Sequence, residues 1–372
     1  MEIKRIKMLA IQKYLQDHSL EQLEEEYSVK VSRHQNYPNL VCFKYCQISS
    51  PMKVRLVQEC RGLILDENNN WQVVSYPYDK FFNYDSHLAP QLDWQTTSIY
   101  EKLDGSLVIL YFYDGNWHVQ TSGTADATGI IRSHNISMKD LFWSTWQQLN
   151  YQIPSEKDYC FIFELISPIN RIIVNYQEND LILHGVRSLK TFVEEHPAHW
   201  CQKYNWKCIK DINNYAFSNL EEVLAKTHQM NGFENEGFVA VDSQFRRIKI
   251  KSPHYVRIHL LKIGEYTNRR LVEIVVNNEG DEFLNYLPSY KKAYETIYSS
   301  YLRLIAAIKD NFDKYKNIES QKEFALQAKQ FPYSGILFQL KANKNKAKKI
   351  EQYVQQMKLN TLMKLLNVPD IR

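Results

Sequence analysis

Hydrophobic positions recur along this chain with two different spacings, and the changes of spacing divide it into regions. Residues 2–28 carry leucines and isoleucines at helical intervals with Glu and Lys between them, which predicts an amphipathic helix. From Leu40 to Lys251, short apolar and β-branched runs alternate with turns, as is typical of strands. After Pro253 the helical spacing returns. The stretches that show it are 289–314, 320–330 and 345–366.

The middle region predicts a mostly antiparallel sheet. Its candidate strands are 62–65, 107–113, 117–121, 159–166, 171–174, 181–186, 236–241 and 245–250. Asp114 and Gly115 lie between two of these runs and predict a hairpin turn. Residues 137–149 predict a helix, and Ser218 with Glu221 has the capping-box spacing that begins another. The fold class is therefore α+β.

A chain of 372 residues is long enough for more than one domain. The change from strands to helices places a boundary near 252–262. We expect an α+β domain over 1–255, with a helical segment at 1–28, followed by an all-helical C-terminal domain over 256–372. The second domain contains the only biased tract, 341–349, which is rich in lysine.

Composition narrows the class of protein. Hydrophobic residues make up 44% and charged residues 24% of the chain, values that are ordinary for a globular protein. No apolar run approaches the roughly 20 residues that a membrane span needs, and the N-terminus has no signal-peptide pattern. Six cysteines at irregular spacing indicate a reduced, cytoplasmic protein. The 25 tyrosines and 17 phenylalanines suit a core and equally suit stacking on bases.

Charge is distributed unevenly. The net charge is only +4, but residues 261–372 contain 19 Lys and Arg against 12 Asp and Glu. The basic excess is therefore C-terminal. It has two interpretations, solvated helix faces or a surface that binds nucleic acid.

Lys102 begins a Lys-Leu-Asp-Gly-Ser stretch at the mouth of the predicted strand 107–113. Alone, this pattern is more often a solvated turn than a site. An amine attacks phosphorus only when it is neutral, and the reference pKa of lysine is about 10.4. We expect neighbouring cations and partial burial to lower that pKa, which makes a covalent phosphoramidate feasible. Gly105 would let the backbone approach a phosphate, and Asp104 would orient the loop.

Four further cations accompany this lysine. Lys249 and Lys251 are two residues apart on a predicted strand, so both amines point to the same face. Arg61 and Lys80 lie in separate polar turns upstream. Together they would stabilise negative charge on a reacting phosphorus. The alternative is an exposed strand face with alternating lysines.

Two glutamates lie in apolar strands. Glu164 is within 159–166, and Glu236 begins 236–241. Because an unpaired buried carboxylate is costly, each needs a partner. Magnesium bound to a nucleotide is one such partner. A buried ion pair with an arginine such as Arg171 is the other.

A competing metal site is suggested by residue type alone. His196, His199, Cys201 and Cys208 resemble zinc ligands, but their spacing fits no common zinc pattern.

Six short motifs occur in a fixed order. They are Glu-Cys-Arg-Gly at 59–62, Lys-Phe-Phe-Asn at 80–83, Lys-Leu-Asp-Gly-Ser at 102–106, Phe-Glu at 163–164, Glu-Gly-Phe-Val at 236–239 and Lys-Ile-Lys-Ser at 249–252. This order resembles the covalent nucleotidyltransferase superfamily, and most closely the bacteriophage ATP-dependent RNA ligases of the tRNA-repair type. The resemblance runs from about Phe43 to Tyr255. It implies an antiparallel-sheet nucleotidyltransferase domain, an ATP-grasp-like adenylation domain, before the helical one.

The resemblance also implies roles for single residues. Lys102 becomes the lysine-AMP, with Glu164, Glu236 and Tyr255 at the reaction centre. Residues implied to bind ATP are Arg61, Lys80, Glu101, Lys249 and Lys251, with an aromatic ring from Phe43 or Tyr45. Residues implied to hold Mg²⁺, which Mn²⁺ can replace, are Glu164, Glu236 and Asp281. The implied partner is RNA with 5′-phosphate and 3′-hydroxyl ends, cleaved tRNA included, with no membrane and no obligate protein partner.

One segment departs from the family pattern. These ligases usually carry basic residues shortly after the hairpin, where this chain has Val-Gln-Thr-Ser-Gly-Thr at 119–124. Hydroxyls of Thr121 and Ser122 would then replace a phosphate contact. The other interpretations of the whole chain are a DNA ligase or capping-type nucleotidyltransferase, and a non-catalytic protein that binds RNA ends.

Overall fold

The structure is a computed structural model, which describes residues 8–46, 50–131, 134–212, 217–262, 268–276, 280, 283–284, 288–342 and 350–369. The chain divides into two compact units, one of Met1–Cys46 with Ser50–Lys262 and one of Gln47–Ser49 with Ile263–Arg372. Strands and helices alternate in the first unit, and the described residues of the second form helices. None of the described helices is both long enough and apolar enough to cross a membrane.

The first unit contains these elements in chain order. The strands are β1 (Val29–Arg33), β2 (Leu40–Tyr45), β3 (Arg61–Asp66), β4 (Gln72–Ser75), β5 (Phe82–Asn83), β6 (Ser98–Lys102), β7 (Ser106–Tyr113), β8 (Asn116–Thr121), β9 (Ile130–Ile131), β10 (Ile136–Ser137), β11 (Tyr159–Ile166), β12 (Asp180–Ser188), β13 (Glu194–Glu195), β14 (Lys207–Cys208), β15 (Gly237–Val241) and β16 (Arg247–Lys251). The helices are α1 (Ala10–Tyr14), α2 (Leu20–Tyr27), α3 (Arg55–Glu59), α4 (Met138–Gln148), α5 (Pro197–Tyr204), α6 (Leu220–His228) and α7 (Pro253–Lys262).

These strands form three sheets and a small ribbon of β9 and β10. The first sheet has the order β1-β2-β3-β4, and the third has the order β5-β16-β15-β6. The second has the order β13-β12-β11-β7-β8, with β14 also beside β12. Only the short edge pairs β5 with β16 and β14 with β12 are parallel among the described strands. The predicted α+β class with mostly antiparallel sheets is confirmed.

The first two sheets pack face to face through one apolar core. Cys42 and Ile64 of the first sheet share this core with Ile109 and Ile162 of the second. Helices α1 to α3 cover the outer face of the first sheet, and α4 and α5 cover that of the second. The third sheet packs on α6, where Val223 lies in its core cluster. Apolar residues at strand and helix spacing are thus buried between layers, as their periodicity requires.

Several local predictions are confirmed by backbone geometry. Asp114 and Gly115 have φ values of 46° and 79°, the left-handed pair that a two-residue hairpin turn requires. The predicted helix at 137–149 is α4, whose first turn is capped because the Ser137 hydroxyl accepts the Asp140 amide.

Other local predictions were wrong. The single helix expected over 2–28 is two helices within the described residues. The Ser19 hydroxyl accepts the Gln22 amide while the Gln22 side chain accepts the Ser19 amide, and this reciprocal cap begins a new helix. The cap of α6 is Asn219 with Glu222, one position later than predicted.

The strand expected at 171–174 is not a strand. It follows a 3₁₀ turn at Pro168–Asn170, and the amides of Ile173 and Val174 bond to the Asp104 carboxylate instead of to a neighbouring strand. Because this segment has no neighbouring strand to pair with, its amides donate to a side-chain carboxylate instead.

The second unit has a helical core of its own. Its helices are α8 (Asn268–Val276), α9 (Lys291–Tyr315), α10 (Gln321–Ala328), α11 (Ser334–Ala342), α12 (Ile350–Gln355) and α13 (Leu359–Leu365). Val272, Ile308, Leu337 and Val354 belong to the one apolar cluster that these helices enclose. The helix expected over 345–366 is divided in the described residues, because Lys358 is extended between α12 and α13.

Truncation of Phe142 to alanine tests the core between α4 and the second sheet. The ring is fully buried and stacks on Trp146. We expect Phe142→Ala to lower the free energy of unfolding by about 3–5 kcal/mol, measured by urea denaturation. Ile130→Ala is the control, since Ile130 is 54% exposed. Equal effects of the two substitutions would contradict this packing.

Candidate active site

A cavity of about 460 Å³ lies between the second and third sheets. Lys102, the last residue of β6, lines it, and residues 103–105 carry the chain across to β7. Lys249 and Lys251 of β16 line the same cavity, as their spacing predicted. On the opposite wall, β11 contributes Glu164. The cavity therefore forms where the chain passes from β6 of the third sheet to β7 of the second.

Lys102 contacts a buried glutamate. Its Nζ lies 2.5 Å from Oε2 of Glu236, and Nζ of Lys251 lies 3.6 Å from Oε1. Sheet register explains the arrangement, because Gly237 is paired with Lys102 on one side and with Lys251 on the other. Glu236 is 5% exposed, and the two ammonium groups satisfy its charge. Lys102 must lose a proton before its lone pair can attack, and this carboxylate is in position to accept it.

Asp104 fixes the loop that follows the lysine. Its Oδ2 accepts the amides of Ile173 and Val174, each at 2.7 Å. Its Oδ1 accepts the Tyr255 hydroxyl at 2.6 Å, and its amide donates to the Tyr176 hydroxyl at 3.1 Å. Burial raises the pKa of both tyrosines, so the hydroxyls remain protonated at neutral pH. Asp104 is 3% exposed, and these bonds satisfy it.

Gly105 is required by crowding against β11. A Cβ at this position would lie 2.6 Å from the carbonyl oxygen of Leu165 and 2.9 Å from Cγ of Glu164. From the sequence, this glycine was expected to let a phosphate approach the backbone closely. In the structure, the close approach is that of the lysine loop to its neighbouring strand.

Uncompensated positive charge collects beside Lys249. The guanidinium carbon of Arg61 lies 4.9 Å from the centre of the Phe81 ring, and Nζ of Lys249 lies 4.7 Å from it. Nη1 of Arg61 is buried without a hydrogen-bond partner among the described residues. Burial lowers the pKa of Lys249 well below its usual range, and Arg61 and Lys80 lower it further. Such an arrangement favours an anion.

Glu164 has a histidine partner. Its Oε2 lies 3.3 Å from Nε2 of His184, and the Tyr78 hydroxyl lies 3.0 Å from Nδ1 of that ring. The ion pair with Arg171 considered from the sequence was wrong, because Arg171 is exposed and its Nε donates to the Ile173 carbonyl. The strand-borne histidine was not identifiable in the sequence.

The remaining predicted site residues are placed as follows. Glu101 lines the cavity. Lys80 lines an adjoining one, with Nζ 4.9 Å from the centre of the Tyr45 ring. Phe43 does not reach either cavity, because its side chain is fully buried in the core beneath α1 to α3. Asp281 lies outside the described residues.

Tyr45 and Tyr255 also stand back from the cavity lining. Tyr45 is 8% exposed and contacts Lys80, and Tyr255 reaches the site only through Asp104. The prediction that Phe43 or Tyr45 lines the nucleotide pocket therefore finds no support in the geometry. Pockets between sheets take side chains from the facing strands, whereas Phe43 and Tyr45 of β2 belong to the core beneath α1 to α3.

The cavity wall also contains residues that the sequence did not single out as site residues, among them Phe81, His184, Glu194 and Arg247. For Arg247 a signal existed, because it continues the two-residue spacing of Lys249 and Lys251. No sequence pattern marked Phe81, His184 or Glu194, because contacts with residues distant in the chain place them in the wall.

The segment at 119–124 is occupied by its own turn. The Thr121 and Thr124 hydroxyls lie 3.0 Å apart, and the Gln120 amide donates to the Gly62 carbonyl at 2.5 Å. These residues do not line the cavity, so replacement of the missing basic contact by the Thr121 and Ser122 hydroxyls stays a prediction.

The donor sets for a metal are limited. Across the described ranges, no group of three or more His, Cys, Asp or Glu side chains is arranged to hold an ion. Nε2 of His196 bonds to the Tyr100 hydroxyl at 2.7 Å, and the thiols of Cys201 and Cys208 are both free and share a hydrogen bond. Glu164 suits Mg²⁺, because Mg²⁺ at a nucleotide site is usually held by one or two carboxylates together with phosphate oxygens. Glu236 would bind Mg²⁺ only by giving up its contact with Lys102 or with Lys251.

The comparisons with known proteins identify the family. A family model described as RNA ligase matches residues 59–255 of this chain. The match begins just before Arg61 and ends at Tyr255, so it spans the elements that build the cavity. This chain belongs to that RNA ligase family, which confirms the resemblance found in the motifs.

Curated relatives agree with this assignment. An RNA ligase of Rhodothermus phage RM378 is 30% identical over 326 residues, covering 70% of this chain and 73% of the relative. A putative bifunctional polynucleotide kinase/RNA ligase of Autographa californica nuclear polyhedrosis virus is 28% identical over 303 residues. This match covers 76% of the chain but 42% of the viral protein, so the chain spans less than half of that relative.

A solved structure is also similar to this chain. An archaeal ATP-dependent RNA ligase is 12% identical, with a TM-score of 0.43 over 87% of this chain and 80% of its own.

The depressed pKa of Lys249 predicts proton uptake on anion binding. In the free protein the amine is neutral above that lowered pKa, and a phosphate anion would raise it. Binding of pyrophosphate should therefore take up a proton between the two values, and affinity should fall as pH rises through that window. Calorimetry in buffers of different ionisation enthalpy measures the uptake. Lys249→Met should remove it, and uptake that persists in this variant would assign the proton to another group.

Proposed function

We propose that this protein is an ATP-dependent RNA ligase that joins 5′-phosphate and 3′-hydroxyl RNA ends through a lysine-AMP on Lys102. One observation carries the proposal. Lys102 contacts the buried Glu236 in a cavity that also holds Lys249, Lys251 and Arg61. A nucleophile, a proton acceptor and a cluster of cations are the groups that phosphoryl transfer needs.

In the first step, the Lys102 amine gives up its proton and attacks the α-phosphorus of ATP. A nitrogen–phosphorus bond forms, the bond to the β-phosphate oxygen breaks, and pyrophosphate leaves. Glu236 takes the proton, while Arg61, Lys249 and Lys251 neutralise the charge that grows on the phosphate oxygens. The fixed Asp104 loop keeps the amine in line with the leaving group.

The next two steps move AMP to RNA and release it. An oxygen of the RNA 5′-phosphate attacks the phosphorus of lysine-AMP, which breaks the nitrogen–phosphorus bond and returns the amine. The RNA 3′-hydroxyl then attacks the activated 5′-phosphate and AMP leaves. The first and second steps build charge at the phosphorus of AMP, so the same cations serve both, whereas the third step builds it at the RNA 5′-phosphorus.

Metal binding is part of this proposal. Glu164 and Glu236 would hold Mg²⁺, or Mn²⁺ in its place, together with phosphate oxygens. The ion would neutralise part of the negative charge on the phosphates. Asp281 keeps its proposed metal role on the motif resemblance alone.

The other proposed roles follow from position. Glu101 would contact the nucleotide from the cavity wall, and Lys80 would act on phosphates from the adjoining cavity. Tyr255 would act through Asp104, as a positioning residue. An aromatic contact from Phe43 or Tyr45 has no support from the lining residues.

Two other functions are weaker. DNA ligases and capping nucleotidyltransferases normally follow the paired lysines with a β-barrel domain, whereas the described residues after α7 are helical. A non-catalytic RNA-end-binding protein would not need the contact between Lys102 and Glu236.

The domain roles, substrate and location complete the proposal. We assign adenylylation to residues 1–255 and RNA-substrate specificity to 256–372. RNA repair, with cleaved tRNA among the substrates, rests on the motif resemblance. A cytoplasmic location is supported by six free cysteines.

Labelling with α-³²P ATP and Mg²⁺ tests the covalent step. We expect acid-labile label on the intact protein and none on Lys102→Ala, because no other amine occupies that position. Glu236→Gln should slow labelling by about 10²-fold or more, as loss of a general base does. Lys190→Ala is the control, since Lys190 is 72% exposed and pairs with Asp158.

Label that survives Lys102→Ala would reject the ligase proposal. Label from GTP in preference to ATP would favour capping. Sealing of 5′-phosphate RNA but not of matched DNA strands is the expected second result.

The basic tract at 341–349 tests the role of the second unit. Lys341 donates to the carbonyls of Lys316 and Ile318, so it closes the end of α9 and should be left in place. Exchange of Lys344, Lys346, Lys348 and Lys349 for glutamine should weaken RNA binding and flatten its salt dependence by about 0.7 per lost phosphate contact. Unchanged affinity across salt concentrations would remove this surface from the RNA site.

A further inference from the structure

A second cavity of about 490 Å³ adjoins the first within the same unit. The two share a wall formed by Phe81, Glu194, Phe245 and Arg247. Five cationic side chains line the second cavity against two carboxylates. None of the proposed steps uses the arginines of this cavity.

Two of these arginines are buried with a single carboxylate between them. Nη2 of Arg187 bonds to Oε1 of Glu194 at 2.5 Å, and Nη1 of Arg247 lies 3.2 Å from the same oxygen. The side chains of all three residues are 10% exposed or less. These three side chains together carry a net charge of +1, and Asp79, the other carboxylate of the cavity, is paired with Arg55.

Among the described residues, one nitrogen of this buried group finds no hydrogen-bond acceptor. Nε of Arg187 is buried and has no hydrogen-bond acceptor in the part of the chain that the structure describes. Its guanidinium lies 4.0 Å from the centre of the Tyr76 ring, and that of Arg247 lies 4.0 Å from the Tyr78 ring. Aromatic faces soften but do not neutralise a buried cation. An anion in the cavity would supply both the acceptor and the missing charge.

The lining also suits a nucleic acid strand. Half-buried rings of Phe82 and Phe192 line the cavity beside the arginines. Arginines interleaved with aromatic rings are the common means of holding a single strand, because phosphates pair with the cations and bases stack on the rings. A free polyphosphate has no base that could stack on the rings.

We propose that this second cavity binds the 5′-phosphate end of the RNA strand, with Arg187 as its buried anchor and Arg246 at its rim. This assignment rests on the proposed ligase function and adds to it the place where the second substrate is held. The first cavity has its own cations around Lys102, which leaves these arginines for the other phosphate-bearing reactant. The shared wall would set the RNA end next to lysine-AMP.

Fluorescence anisotropy with a single-stranded RNA of about ten nucleotides tests the proposal. The same sequence is used with a 5′-phosphate and with a 5′-hydroxyl, in the absence of ATP. We expect tighter binding of the 5′-phosphate RNA, and about tenfold weaker binding of it by Arg187→Gln, since one charge-assisted contact is lost. Binding of the 5′-hydroxyl RNA should change less.

Arg246→Gln is a second variant that does not disturb the buried group. Arg246 is 40% exposed and pairs with Asp242, which also accepts the amides of Gln244 and Arg246 itself. It should show the same selective loss even if Arg187→Gln fails to fold. Arg33→Gln is the matched control, because Arg33 is 42% exposed in an ion pair with Glu67 and lines neither cavity.

The outcomes separate the possibilities. Equal loss for both RNAs, or no loss in either variant, would overturn the 5′-phosphate assignment. A raised KM for ATP in self-adenylylation with unchanged RNA binding would overturn it too, in favour of the ATP polyphosphate. Wild-type protein that labels with ATP but shows no 5′-phosphate preference would reject this inference alone, whereas failure to label would reject the ligase proposal itself.

Discussion

The contacts of the Asp104 carboxylate hold together the junction on which the rest of the site depends. The chain leaves one sheet at Lys102 and enters the next at Ser106, and this crossing has no ladder hydrogen bonds of its own. Asp104 replaces them by accepting two backbone amides and a tyrosine hydroxyl. Because Gly105 has no Cβ, the loop can lie directly against β11. The backbone that carries Lys102 is therefore fixed by its neighbours, and the amine is held against Glu236.

Electrostatic balance divides the site into two parts. Around Glu236 the carboxylate is fully partnered, because it faces two ammonium groups. Around Lys249 the charged neighbours are cations, and the buried donors of Arg61 and Arg187 find no acceptor among the described side chains. Folding has thus placed positive charge where it costs stability, and a phosphate ligand is what recovers that cost. This imbalance argues for two anionic reactants beside one lysine.

Strand periodicity predicted much of this arrangement. Lys249 and Lys251 on one face, Glu164 in a buried strand and the hairpin at Asp114 all follow from local rules that tertiary packing did not override. Other predictions failed where a residue's surroundings were decided at long range. Phe43 is a core residue because helices α1 to α3 cover its side of the sheet, and Glu164 pairs with His184 because β11 and β12 are neighbours. No local pattern contains that information.

The sequence by itself determined the family and the α+β class, and it singled out Lys102 as the proposed nucleophile, because motif order and apolar spacing are properties of the chain. Only the tertiary structure decided which charges are paired. Glu236 meets Lys102 across 134 residues, and Arg247 meets Glu194 across 53, through sheet register and packing of separate layers. Ionic partners in a folded protein are chosen by proximity in space and by burial. The second cavity and its unbalanced arginine were therefore visible only once the layers were assembled.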